Sequence, residues 1–454
     1  MKYAPYETYK AGDSEWLETI PTTWTQIRGR FVMAVNPAPV KVHQLAASDE
    51  VSFVPMEAVG EWGGLNLDRT KSLDEVGAGY TAFEDGDVVV AKITPCFENG
   101  KGAIAVDLKN GAGFGTTELH VLRSGKRLDR QFLFYLTISH TFRMLGESEM
   151  YGAGGQKRVP PEFAKNFRVP LPPLDEQERI SHFLDTRVLQ IDTLVDQKRQ
   201  LIARLKEKRS ALIASTVTRG LPPEAAKSVG LNPNPEMRDS GVDWLGKVPK
   251  HWGTTRLKYA TKRIIDCPHD TPIYDPAGNY LVVRTADIDS GTLDLSRAYR
   301  VDESEYLRRI RRAKVVPKDI LYGREGERWG YAALAPEHTT VCLGQRMMQF
   351  QASARFDPDF LMWHLNARSV YEQGTLDVVG STAPHVNVET IRNYLLAEPP
   401  LAEQVAIAAF IGSQTAQLDG LFTQISAAIT RLTEYRQALI TSAVTGKIDV
   451  RETT

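Results

Sequence analysis

Two sets of tryptophans frame this chain, and they show that it is built twice. Near the start stands DSEWLETIPTTW, with Trp16, Leu17, Pro21 and Trp24. In the second half stands DSGVDWLGKVPKHW, with Trp244, Leu245, Pro249 and Trp252 at the same internal spacing, 228 residues on. Arg28 and Arg256 obey that shift, as do Phe132-Leu133 and Phe360-Leu361. Further along the shift becomes 227: PPLDEQERI (172–180) answers PPLAEQVAI (399–407), Asp192 answers Asp419, and Arg209 answers Arg436. Arg204 and Arg431, Glu207 and Glu434, and Val217 and Val444 follow suit. The period is too long for a solenoid, and two copies are not an array. The chain is a duplicated two-part unit, each part a globular region followed by a helix.

The helices carry the clearest periodicity. From Ile191 the positions Leu194, Lys198, Leu201, Leu205, Lys208, Leu212 and Ser215 step by three and four residues, a heptad seam with two lysines. The second copy reads Leu418, Leu421, Ile425, Ala428, Leu432, Tyr435, Leu439 and Ser442. Neither run contains proline. Each follows a Pro-Pro pair and opens with acid (Asp175 and Glu176; Glu403), which suits the positive end of a helix. Gly220-Leu221-Pro222-Pro223 stops the first. Two equivalent heptad stripes in one chain most simply bury each other, so an antiparallel coiled coil is expected. The fold class is therefore α+β: two mixed α/β domains joined by two long antiparallel coiled-coil helices in a pseudo-two-fold duplication. The boundaries fall at 1–172 (first globular domain), 173–219 (first helix), 220–238 (connector), 239–398 (second globular domain), 399–446 (second helix) and 447–454 (tail).

Bulk properties exclude several classes. No stretch approaches the roughly 20 apolar residues of a membrane span, and MKYAPYETYK lacks the apolar core of a secretory signal. Three scattered cysteines, Cys96, Cys267 and Cys342, point to a reducing, cytoplasmic setting. Cys267 and His269 have no second ligand pair at zinc spacing, so no metal is expected. The net charge is −1. A free-standing DNA binder is usually basic, so basic faces, if present, must be offset by acidic ones.

In the first globular region 87–93, 102–106 and 119–122 read as strands and 128–145 as a helix. In the second, 280–285, 319–323 and 347–351 read as strands and 357–373 as a helix. The frames match and the loops do not. After a strand in copy one comes KITPCFENGKG (92–102), with Lys92, Thr94 and Lys101; the counterpart is GREGERWG (323–330), with Arg324 and Arg328. GAGGQKRVPP (152–161), with Gln156, Lys157 and Arg158, is answered by GSTAPHVN (380–387), with His385. These residues and Arg346 are the candidate DNA contacts, since guanidinium and amide groups read base edges and glycine permits close approach. Each taken alone also reads as a solvated turn; the argument lies in their equivalent placement. RRIRR (308–312) reads equally as a phosphate-contacting run or an exposed helix face.

The Trp-Leu-Pro-Trp openings, the PPLDEQERI and PPLAEQVAI helix starts, and the helix ends SALIASTVTRGL and QALITSAVTGKIDV resemble those of the specificity (S) subunits of type I restriction–modification systems. The resemblance spans essentially the whole chain; DSEWLETIP departs from it by lacking a glycine after Trp-Leu. It implies two target-recognition domains, each reading half of a split double-stranded DNA sequence, and spacer helices that dock two modification (M) methyltransferase subunits and, through them, restriction (R) subunits. It implies no cofactor in this chain, with S-adenosylmethionine, ATP and Mg²⁺ in the partners.

Two other readings compete. A lone methyltransferase needs an Asn/Asp-Pro-Pro-aromatic tetrapeptide; the nearest strings, Asn36-Pro37-Ala38-Pro39 and Asn232-Pro233-Asn234-Pro235, lack the aromatic. A metal nuclease needs more acid than Asp87 beside Lys92 supplies. No active site is expected. A coiled-coil scaffold without sequence-specific DNA binding explains the helices and the charge, but not why equivalent frames carry unlike polar loops.

Overall fold

The structure is a computed structural model that describes residues 3–152, 155–326, 328–377 and 385–451. Part of the loop expected at 380–387 (residues 380–384), residues 153–154 and 327 of the other loops, and residues 452–454 of the tail lie outside these. Contacts divide the chain into two compact units, residues 1–198 with 426–454, and residues 199–425.

The first unit is built around an antiparallel sheet of Met33–Val35, Leu119–Ser124, Val88–Ala91 and Gly102–Ile104, in that order. The Val88–Ala91 run is buried throughout, as an apolar β-branched stretch in a central strand should be. A second sheet orders Thr70–Ser72, Glu50–Val54, Ala112–Gly115 and Thr81–Glu84, with one parallel pair. The second unit repeats the first sheet with Thr261–Asp266, Met347–Ala352, Ile320–Gly323 and Ala332–Leu334. Its other sheet is reduced to Tyr299–Val301, Tyr280–Val283 and Val341–Leu343.

Each helix expected after the sheet is two. Arg130–Ile138 gives way to His140–Ser148 because Ser139 turns extended and its side chain accepts the Phe142 N–H at 3.3 Å. Pro358–Leu365 and Arg368–Thr375 are separated at Asn366, whose side chain leaves the helix to bond both backbone groups of Ala332. Local side-chain bonds of this kind compete with helix continuation.

The repeated PPLxEQ segment starts each long helix, Leu174–Arg219 and Leu401–Val444. Its glutamine is fully buried in both copies. Gln177 accepts the Asp129 N–H at 2.8 Å and donates to the carbonyls of Arg127 and Pro172. Gln404 does the same with the Asp357 N–H and the carbonyls of Arg355 and Pro399. Asp129 and Asp357 are themselves the N-caps of the short helices. The neighbouring glutamate receives the indole of the repeated tryptophan: Trp24 to Glu176 at 3.0 Å, Trp252 to Glu403 at 2.9 Å. The two sequence motifs are thus two halves of one junction.

The long helices run antiparallel, and two ion pairs show their register. Asp192 meets Arg436 in the first unit, and Arg209 meets Asp419 at 3.2 Å in the second. These four residues are two duplicated positions. The stripe of buried and half-buried positions corrects the expected seam. Ile191, Leu205, Leu212, Leu418, Ile425, Leu432 and Leu439 lie on it, but Leu194, Leu201, Leu421 and Tyr435 are exposed. The inward positions are instead Val195, Ile202, Phe422 and Ile429, with Arg209 and Arg436 completing the heptads. An apolar heptad pattern does not select an arginine, so the period read from the leucines falls on the neighbouring Lys208 and Tyr435.

RRIRR is corrected too. Arg309 has a fully buried side chain, paired with Glu305 at 2.9 Å and donating to the Pro268 carbonyl at 3.1 Å. Arg308 pairs with Glu305 and Asp270, and Arg312 donates to the Asp266 carbonyl. Three of these arginines brace the 266–270 turn.

One buried difference between copies is self-compensating. The Ala397 N–H donates to His364 Nε2 at 2.9 Å. The duplicated positions hold Pro170, which has no N–H, and Leu136. Burial brings the His364 pKa down to about 4, so the ring is neutral when folded. Its contribution is complete above the ordinary value of 6.5 and is lost as pH falls toward about 4. His364→Leu alone should cost about 1–3 kcal/mol by stranding the Ala397 N–H, and adding Ala397→Pro should recover part of it. Denaturant unfolding between pH 7 and pH 5 checks both points: the wild-type midpoint falls, and the double variant shows a shallower fall.

Candidate nucleic-acid interface

Both expected loops are the tips of equivalent strand pairs. Residues 92–101 join Val88–Ala91 to Gly102–Ile104, and residues 324–331 join Ile320–Gly323 to Ala332–Leu334. The second polar segment of each unit lies against that tip. In the first unit Ile93 bridges Arg158 and the Thr94 N–H donates to the Lys157 carbonyl at 3.0 Å. In the second, Glu325 bridges His385. Arg158 and His385 are duplicated positions, so one backbone bridge recurs in both units.

The candidates divide by what already occupies them. In the first unit Gln156 and Lys157 are exposed and Lys92 is half-buried. Lys101 is committed, its ammonium donating to the Met56 carbonyl at 3.0 Å. Thr94 is half-buried and its hydroxyl turns to the Lys157 carbonyl. Arg158 forks onto Glu118 at 2.8 Å, and this guanidinium holds the Glu118 carboxyl below its usual range. Burial lowers the His120 pKa from its ordinary value, and its Nε2 lies 2.8 Å from the Val159 carbonyl.

In the second unit Arg324 is buried, not presented. Its guanidinium reaches Asp266 at 3.2 Å, Glu325, and the His269 ring at 3.4 Å; His269 also bonds Asp266 at 2.8 Å. Arg328 is exposed, resting on the carbonyls of Ala286 and Ile288 at 3.3 Å. Arg346 and His385 are exposed. Sequence reasoning missed Glu118, Asp266, His269 and Glu325, the acids and imidazole that occupy the cations. The string DCPHD (266–270) was the one visible signal.

Among the described residues no group of three or more His, Cys, Asp or Glu side chains could hold a metal ion, and no helix is long and apolar enough to cross a membrane. The two units thus carry unlike polar tips on a duplicated frame. The chain matches the family model for the type I restriction modification DNA specificity domain over residues 78–204 and 274–431, more than half its length, and it belongs to that family. It is 42% identical over 183 residues to the type I restriction enzyme EcoAI specificity subunit of Escherichia coli, covering 40% of this chain and 30% of that one. It is also 42% identical over 163 residues to the EcoEI specificity subunit of Escherichia coli, covering 36% of this chain and 27% of that one. The chain thus aligns with less than a third of the length of these two relatives. The fold is that of a chain from a type I R-M system solved to explain its complex assembly and conformational transition, with TM-score 0.65, 20% identity, 94% of this chain and 99% of that chain covered.

Arg324 and Arg328 should separate in a stability measurement. Arg324→Ala leaves Asp266 and Glu325 without their cation and should lower stability by about 1–3 kcal/mol. Arg328→Ala gives up only exposed carbonyl contacts and should stay within about 0.5 kcal/mol of wild type. Thermal unfolding of the two variants, ranked the other way round, would show that Arg324 is not the structural one.

Proposed function

We propose that this chain is the sequence-reading subunit of a type I restriction–modification complex, that each unit reads one half of a split duplex DNA target, and that it has no active site of its own. The observation that carries this reading is the recurrence of the Arg158 and His385 bridge beside tips of different chemistry. Equivalent placement with unlike side chains is what two readers of different sequence require.

The readers follow from what each unit leaves free. Arg328 and Arg346 are the guanidinium groups suited to the two acceptors of guanine in the major groove, and Gln156 suits adenine. Lys92 and Lys157 suit phosphates, which position without specifying. Arg324 supports the tip from below. The exposed leucines that the seam leaves out, Leu194 in the first unit and Leu201 and Leu421 in the second, are assigned to two methyltransferase subunits, which supply S-adenosylmethionine chemistry and through which restriction subunits with ATP and Mg²⁺ join. The −1 net charge suits a chain that shares phosphate contacts with such partners.

The test is methylome sequencing after residues 239–398 are replaced by the same region of a related chain. A hybrid motif, half old and half new, is expected. A motif that changes in both halves, or in neither, contradicts separate readers. Within the native motif, Arg328→Ala should relax one base position of the second unit's half, a loss of about 1–3 kcal/mol in discrimination.

A further inference from the structure

Trp62 has a backbone that its side chain does not explain. Its φ is +70°, a conformation that a bulky residue rarely adopts. The next two residues, Gly63 and Gly64, also have positive φ. Strain of this kind persists where the surroundings over-determine it, and here they do. The Trp62 N–H donates to the Gly100 carbonyl at 3.1 Å, and the Gly102 N–H donates to the Gly60 carbonyl at 3.2 Å. The Glu61 carboxylate accepts from the Asn99 amide at 3.2 Å, and its backbone pairs antiparallel with that of Lys101. The 60–64 turn is therefore bonded along the far side of the 92–101 tip.

The ring of Trp62 carries two cations. The Arg143 guanidinium carbon lies 4.2 Å and that of Arg436 lies 4.6 Å from the ring centroid. Arg143 donates to the Glu98 carbonyl at 2.8 Å and to the Gln437 side chain. Its Nε is buried without a partner, as is Glu98 Oε2, so the grip on the tip rests on one backbone bond and the stack. Burial, with the Arg436 charge second, brings the Arg143 pKa down to about 10. Two like charges over one ring are tolerated because the π face attracts both and Asp192, on the opposing long helix, pairs with Arg436. The second unit differs: Tyr371, at the duplicated position of Arg143, stacks on Trp329 at 4.3 Å.

We infer that Trp62, Arg143 and Arg436 are positioning residues that hold the 92–101 tip in its reading geometry and join it to the seam of the long helices. None of the three touches DNA; they act through the tip. Side chains at a site read base edges only if held to a fraction of an ångström by a supporting layer, and this stack is that layer for the first unit. Removal of the ring leaves the backbone bond at Gly100 but takes away the surface on which Arg143 and Arg436 stack, and so loosens the tip from the Asp192–Arg436 pair.

This inference rests on the reading function proposed above, and the test keeps the two apart. The complex with its modification subunits is assembled from wild type, Trp62→Ala, Trp62→Phe and Arg143→Lys. Two quantities are measured: amide exchange of residues 95–101, and competition by target duplexes carrying single base changes in each half-site. In Trp62→Ala, exchange at 95–101 should rise at least about tenfold (an opening favoured by roughly 1.4 kcal/mol). Discrimination should fall about tenfold in the half-site that survives exchange of residues 239–398, and stay unchanged in the other. Trp62→Phe, which keeps a ring under the cations, should recover most of both. If Trp62→Ala does not fold, Arg143→Lys decides, with the same directions expected. A folded variant with unchanged exchange, or equal loss in both half-sites, overturns the inference. A wild-type complex that discriminates at neither half-site overturns the reading function, and exchange then still decides the positioning claim.

Discussion

One buried amide per unit holds the architecture together. Gln177 and Gln404 each satisfy three backbone groups, one from the segment that opens the long helix and two from the segment that caps a short one. A buried side chain that is fully bonded specifies a single arrangement, and a partly bonded one would be costly. Because the amide bonds both segments at once, the long helix cannot leave at another angle without stranding them. The tryptophan-to-glutamate bond beside it closes the same junction from the N-terminal strands. The position of each sheet, and so of each tip, is referred to this point.

From there the duplication works at two levels. Frame positions repeat in kind: the N-cap aspartates, the aspartate–arginine pairs across the seam, the strand pairs that carry the tips. Positions just outside the frame change in compensating sets, as His364 with Ala397 against Leu136 with Pro170 shows. The tips change freely, and with them the support beneath: a tryptophan between arginines in one unit, an arginine among Asp266, Glu325 and His269 in the other. Unlike tips on a constant frame rest on unlike props.

The sequence displayed the frame because frame residues carry a repeated side chain whose partner is also repeated. Trp24 and Glu176 recur as Trp252 and Glu403, so the junction could be found by comparing the chain with itself. The seam was legible in period and not in phase. Leu194 and Leu201 outscore Val195 and Ile202 as coiled-coil leucines, and Arg209 and Arg436 hide the true stripe. The site was legible in place and not in role. Arg324 and Arg328 sit four residues apart in one loop, yet one is buried by acids that come from Asp266 as well as from its own neighbour. Burial by a residue 58 positions away leaves no local mark. Trp62 gave no sign at all, since neither its backbone conformation nor its two cations can be read from Glu-Trp-Gly-Gly.

The central claim is that two separate tracts of bases are read, each by one unit. Base-edge footprinting of the assembled complex on its methylated target sequence measures this directly. Two protected tracts are expected, centred about one helical turn apart, with unprotected bases between them and protection in only one tract weakened by Arg328→Ala. A single continuous tract, or loss of protection in both tracts from that one substitution, would contradict it.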